Sequence, residues 1–143
     1  MLPALLETHQ HADLIIVMLG TNDCKATYGA SAEMIGKGIE KIIGQIRSGA
    51  PDSRILLISP IWLGEKVWKP GYDPEFSEKS VAVSKHLAKV YRQIAEKENI
   101  AFLNAAAYAK PSAADQEHMD HENHRLLAEA IYQKVIEIEG IFE

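Results

Sequence analysis

Residues 13–19 read DLIIVML and run directly into Gly20. A continuous apolar, partly β-branched run closed by glycine is the pattern of a strand buried on both faces of a parallel sheet. RILLIS at Arg54–Ser59, stopped by Pro60, repeats that pattern, and AFLN at Ala101–Asn104 is a shorter third candidate. Helical spacing fills the intervals. Ile35, Ile39, Ile42, Ile43 and Ile46 form one apolar stripe, with Ser31 placed to cap its start and Gly49 to stop it. A second helix is predicted within 77–98 on Val83, Leu87, Val90, Tyr91 and Ile94. A third is predicted over 122–139, with Leu127, Ala130, Ile131, Val135 and Ile138 inward. Strand and helix alternating three times imply right-handed crossovers, a parallel sheet and helices on both faces, an α/β layered fold.

The 143 residues, 47% of them apolar, suit one domain over 1–143 with a single core. A net charge of -5 without a long basic run, and two Trp confined to one loop, argue against a nucleic-acid partner. The single cysteine, Cys24, excludes an internal disulfide and favours a cytoplasmic setting. No apolar stretch approaches the roughly 20 residues of a membrane span. The opening MLPALLETHQ lacks a basic region followed by a long apolar run, so neither signal peptide nor anchor is expected. The segment Ile61–Pro74 (IWLGEKVWKPGYDP) has no consistent period and reads as a long loop. It is either a surface excursion packed by its own aromatics, or a pocket wall or subunit contact beyond a strand's carboxyl end.

Two clusters carry chemistry. Gly20-Thr21-Asn22-Asp23 follows the first strand, at the sheet edge where ligands collect, and the Asn22 amide there can donate to an oxyanion; the alternative is a turn in which Asn22 and Asp23 bond their own backbone. Asp115-Gln-Glu-His118 precedes the last helix. A carboxylate three residues from an imidazole can fix its tautomer and raise its basicity, and the alternative is a helix start capped by Asp120 with both residues solvated.

In this order and topology the clusters resemble the third and fifth sequence blocks of the SGNH (GDSL-type) hydrolase family. LPALLETHQHADLIIVMLGTNDCKATYGASAEMIGKGIEKII, RILLISP and SAADQEHMDHENHRLLAEAI are similar to its oligomeric arylesterase and acyltransferase branch. The resemblance implies a three-layer α/β/α, flavodoxin-like fold and a carboxylic ester hydrolase acting on small acyl esters, without a cofactor and as a homo-oligomer. It makes His118 the general base and acid, Asp115 its orienting partner, Asn22 the oxyanion donor and Asp23 structural. It also aligns Met1–Gln10 with the end of the helix before the Gly-Thr-Asn-Asp strand.

The family's nucleophilic serine, in a Gly-Asp-Ser block, has no counterpart in this chain: Ser31, Ser48, Ser53, Ser59, Ser77, Ser80, Ser84 and Ser112 all lie outside such a block and outside Gly-x-Ser-x-Gly. The fold is therefore expected to be incomplete at its N-terminus, with residues 13–19 as an exposed edge that needs a partner. Cys24 and Ser59 are the candidate substitute nucleophiles, but Cys24 reads as an inert thiol and Ser59 as a strand terminator. Two other readings are a catalytically inactive binding or assembly module, and a metal site in the run His118–His124 (HMDHENH), against which no known zinc spacing is reproduced.

Overall fold

The computed structural model describes residues 1–8 and 12–140. Its elements run α1 (Leu2–Thr8), β1 (Leu14–Val17), α2 (Ala32–Gly49), β2 (Arg54–Ser59), α3 (Glu78–Glu98), β3 (Ala101–Asn104) and α4 (His121–Glu139), with single 3₁₀ turns at Asn22–Cys24, Ala26–Tyr28 and Ala105–Ala107. All three predicted strands and all three predicted helices are present. The helix expected at the start is α1; Gln10 lies outside the described residues.

The sheet is parallel in the order β1-β2-β3, with Val17 opposite Leu57 and Ser59 opposite Asn104. Consecutive strands that neighbour one another in space leave both crossover helices on one face. Ile55 and Leu57 accordingly point into a core shared with Ile39, Ile43 and Ile46 of α2 and Leu87, Tyr91 and Ile94 of α3. Leu56, Ile58 and Leu103 point the other way, toward Leu127 of α4. The result is the three-layer α/β/α arrangement. No described helix is long and apolar enough to cross a membrane.

The helix ends follow their side chains. Ser31 Oγ accepts from Met34 N at 3.1 Å, Ser77 and Ser80 form a reciprocal capping box, and Asp120 Oδ1 accepts from Asn123 N at 2.9 Å. Gly49, expected as a stop, is instead the last helical residue. The chain leaves the helix at Ala50, because Pro51 disfavours the helical conformation in the residue before it.

Two expectations about burial need correction. The run 13–19 contributes only four strand residues, because the carbonyl of Leu19 is taken by the Tyr91 hydroxyl at 2.7 Å instead of by a neighbouring strand. As the edge strand expected, β1 pairs with β2 alone, but it is not covered on both faces: Ile16, on the α4 side by alternation, is 44% exposed. On α4 only Leu127 of the predicted stripe is buried, while Ala130, Ile131, Val135 and Ile138 are half-buried. Among the described residues no second helix lies beside α4 on that face, so nothing shields its flanks.

The contrast between strands is measurable. Leu57 is fully buried in the central strand, so Leu57→Ala is expected to cost about 2–5 kcal/mol in urea unfolding, the range for emptying a well-packed aliphatic site. Ile16→Ala should cost under about 1 kcal/mol, since little apolar area is lost. Equal costs would contradict the asymmetry between β2 and β1.

Candidate active site

Parallel strands send all their outgoing loops to one edge of the sheet, and the predicted residues lie in those loops. Asn22 follows β1, the long loop 60–76 follows β2, and Asp115 and His118 lie between β3 and α4.

The turn after β1 is built around Gly20, whose φ of +134° is open to glycine and strained for other residues. A side chain there would also collide with the Tyr91 hydroxyl. Tyr91 is fully buried; desolvation, then the charge of Asp23, pushes its phenol up, so it stays protonated and donates to Leu19 O. Asn22 then opens a 3₁₀ turn with its side chain exposed. Only its backbone carbonyl is engaged, by Lys25 N at 3.2 Å, and among the described residues its amide makes no hydrogen bond. That is not the turn alternative, in which the side chain would be spent on its own backbone. Asp23 is likewise exposed. Cys24 is buried with Sγ 3.5 Å from Gly20 O, and burial, then the charge of Asp23, pushes its thiol up to about 12. A neutral, enclosed thiol is not a nucleophile near pH 7.

Asp115 and His118 are brought together. His118 Nδ1 lies 2.7 Å from Asp115 Oδ2, while Asp115 Oδ1 accepts from the backbone N–H groups of Glu117 and His118, both at 2.9 Å. Partial burial opposes ionisation of Asp115. The two N–H groups, the ring bond and the ring's charge outweigh it and hold the carboxyl at about 2. His118 is raised above its ordinary value, first by the bond from Asp115 and, against slight desolvation, by the charges of Glu117, Asp115 and Asp73. With Nδ1 engaged and the side chain 74% exposed, Nε2 is the nitrogen open to a reactant.

Ser112 closes this turn, donating its N–H to His118 O at 2.7 Å, but its hydroxyl lies 3.3 Å from Asp115 Oδ1, on the carboxylate rather than at His118. Ser59 is fully buried, with Oγ 3.3 Å from Asn104 Oδ1. Asp120 caps α4, as the alternative reading has it, and His121 and His124 are exposed on that helix. No group of three or more His, Cys, Asp or Glu side chains among the described residues is arranged to hold a metal ion.

Asn22 lines a cleft that the Asp115–His118 pair does not. A cleft of about 360 Å³ runs between residues 18–23 and Ile35, Ile39 and Ile42 of α2. A larger one, about 930 Å³, opens at the far edge of the sheet between Phe102, Tyr108 and Tyr132, away from all three residues. The loop 60–76 bridges the two clusters. Glu75 O accepts from Ala26 N at 2.8 Å and its carboxylate pairs with Lys25 at 2.9 Å, while at the other end Gly64 N donates to Gln116 O at 2.7 Å. The loop thus links the turn after β1 to the turn that carries Asp115 and His118, a role that its irregular sequence left open. Gln116, between Asp115 and His118, adopts a left-handed φ of +66°, which nothing in a glutamine announces.

The profile of the GDSL-like lipase/acylhydrolase family matches residues 2–127, and the chain belongs to that family. Among solved structures, one at 39% identity superposes with a TM-score of 0.90, covering 96% of this chain and 64% of its own. Est24, a carbohydrate acetylesterase from Sinorhizobium meliloti, is 28% identical with a TM-score of 0.87, over 96% of this chain and 66% of its own. The native aryl esterase of M. smegmatis is 29% identical with a TM-score of 0.86, over 94% and 65%. The chain therefore spans about two thirds of the length of these structures. Among curated proteins none matches significantly.

Proposed function

We propose that this chain supplies the acid, the base and an oxyanion donor of a carboxylic ester hydrolase that cleaves small acyl esters through a serine acyl-enzyme, the serine lying outside residues 1–143. The carrying observation is the 2.7 Å bond between His118 Nδ1 and an Asp115 held ionised, in a loop at the same sheet edge as the one that carries Asn22. Family membership and the acetylesterase and aryl esterase relatives support the substrate class.

In this reading His118 Nε2 takes the hydroxyl proton as the serine oxygen bonds to the ester carbonyl carbon. Asn22 donates to the oxygen that gains the charge. The tetrahedral intermediate collapses with loss of the alcohol, which receives the proton from His118, and water repeats the sequence to release the acid. Asp115 stays ionised throughout and keeps the imidazolium in place.

p-Nitrophenyl acetate tests the proposal. Joined to a Gly-Asp-Ser segment of the family, the chain is expected to release nitrophenolate well above the rate of the same protein with that serine changed to alanine. Equal rates would sink the reading. A second reading, a binding or assembly module, is favoured by one observation: none of the chain's own serine hydroxyls is bonded to the His118 ring. It predicts that even the protein joined to the Gly-Asp-Ser segment shows no cleavage above that of its His118→Ala variant.

The same reading places a partner along β1, where Ile16, Met18 and Leu19 leave an exposed apolar edge, and takes the protein to be a homo-oligomer. Size-exclusion chromatography with light scattering checks this, and a stable, soluble monomer would remove the need for a partner.

A further inference from the structure

We infer that Gly64 is a positioning residue for the Asp115–His118 pair: its bare Cα is the seat against which the turn carrying both residues rests. The inference builds on the proposed acid–base role of that pair.

The turn holds itself together from within, and it meets the loop after β2 at Gln116 and at Glu117, whose carboxyl faces Asp73. Ser112 N bonds His118 O and Gln116 N bonds Ser112 O at 2.9 Å, both inside the turn. The ties at Gln116 are Gly64 N to Gln116 O at 2.7 Å and Lys66 N to Gln116 Oε1 at 3.2 Å. Leu63, next to Gly64, is buried, and its N–H donates to the buried Ser84 Oγ of α3 at 3.1 Å, so this part of the loop is fixed to the core. Gly64 therefore cannot retreat easily when something presses on it.

A side chain at position 64 would press on Gln116. A Cβ built there meets Gln116 Cβ and Cδ at 2.8 Å, and Oε1 closer still. The amide end of a glutamine can swing aside, but its Cβ is carried by the backbone, here at φ +66°. Relief must come from moving residue 116. Because 116 lies between Asp115 and His118, a shift there separates the carboxylate from the ring. The same geometry contains its own remedy. Glycine at 116 has no Cβ, Cδ or Oε1 to collide with and adopts φ +66° without strain.

The test uses the 143-residue protein and no ester. NMR of the histidine rings follows His118 through a pH titration, together with the ring N–H signal of the proton shared with Asp115. In the parent the titration midpoint is expected above the ordinary histidine value, with the shared-proton signal present. Gly64→Ala should lower the midpoint toward the ordinary value and abolish the signal. Adding Gln116→Gly to Gly64→Ala should restore both, which a general loss of stability would not do. Parent-like behaviour in Gly64→Ala overturns the inference, and so does a double variant as displaced as the single one. If Gly64→Ala fails to fold, the double variant decides: folded with a paired ring supports the seat, and any other result overturns it. An intact pair in a serine-supplied protein that cleaves no ester would sink the proposed function and leave Gly64 in its role.

Discussion

With a Gly-Asp-Ser segment supplied, His118→Ala is expected to lower kcat/KM for p-nitrophenyl acetate by about 10⁴- to 10⁶-fold, the loss seen when such a triad loses its base. The size follows from chemistry. A serine hydroxyl is a poor nucleophile while protonated, and Nε2 of His118 is the acceptor that the Asp115 bond leaves available. The pH profile gives a second check. His118 must be neutral to accept the proton, and its folded value is raised above the ordinary 6.5, so the limb on which kcat/KM climbs with pH lies above pH 6.5. In Asp115→Asn that limb should move down, since the main cause of the upward shift is gone. For stability the signs differ. The contribution of ionised Asp115 is present above its unfolded value and disappears as pH falls toward about 2, while that of protonated His118 fades as pH rises through its raised value. A loss below tenfold in His118→Ala, or a limb unmoved by Asp115→Asn, would remove the pair from the reaction.

Asn22→Ala, in the same protein, is expected to cost about 100- to 1,000-fold, mostly in kcat, which corresponds to about 2.7–4 kcal/mol of transition-state stabilisation. The argument is one of availability. The amide is exposed and spends no hydrogen bond on the described protein, so it has nothing to give up when an ester oxygen acquires charge. Because the ground-state carbonyl needs that donor less than the oxyanion does, KM should change little. A KM increase with unchanged kcat would make Asn22 a binding residue instead.

Much of this architecture was legible in residue order. RILLIS and AFLN match β2 and β3 to the residue, because strands inside the sheet or packed against two helices are nearly continuous apolar runs. DLIIVML overstated the length of β1, because an apolar run continues into the turn where Leu19 O is held by the Tyr91 hydroxyl and not by a strand. The stripe on α4 was read in the right register, but its depth depends on what lies beside the helix. Of the candidate site, Asn22, Asp115 and His118 stand out through their motifs. Gly64 and Gln116 do not, since a seat between two loops far apart in sequence has no spacing to detect, and a left-handed glutamine carries no compositional mark.

The Tyr91 hydroxyl holds the Leu19 carbonyl and occupies the space beside Gly20, so the turn that presents Asn22 hangs from the buried face of α3. Activity and packing are therefore entangled in this part of the molecule. A library of α3 variants selected only for ester turnover would enrich and discard residues that never meet a substrate, and its survivors would map the suspension of the proposed oxyanion donor as much as the chemistry itself.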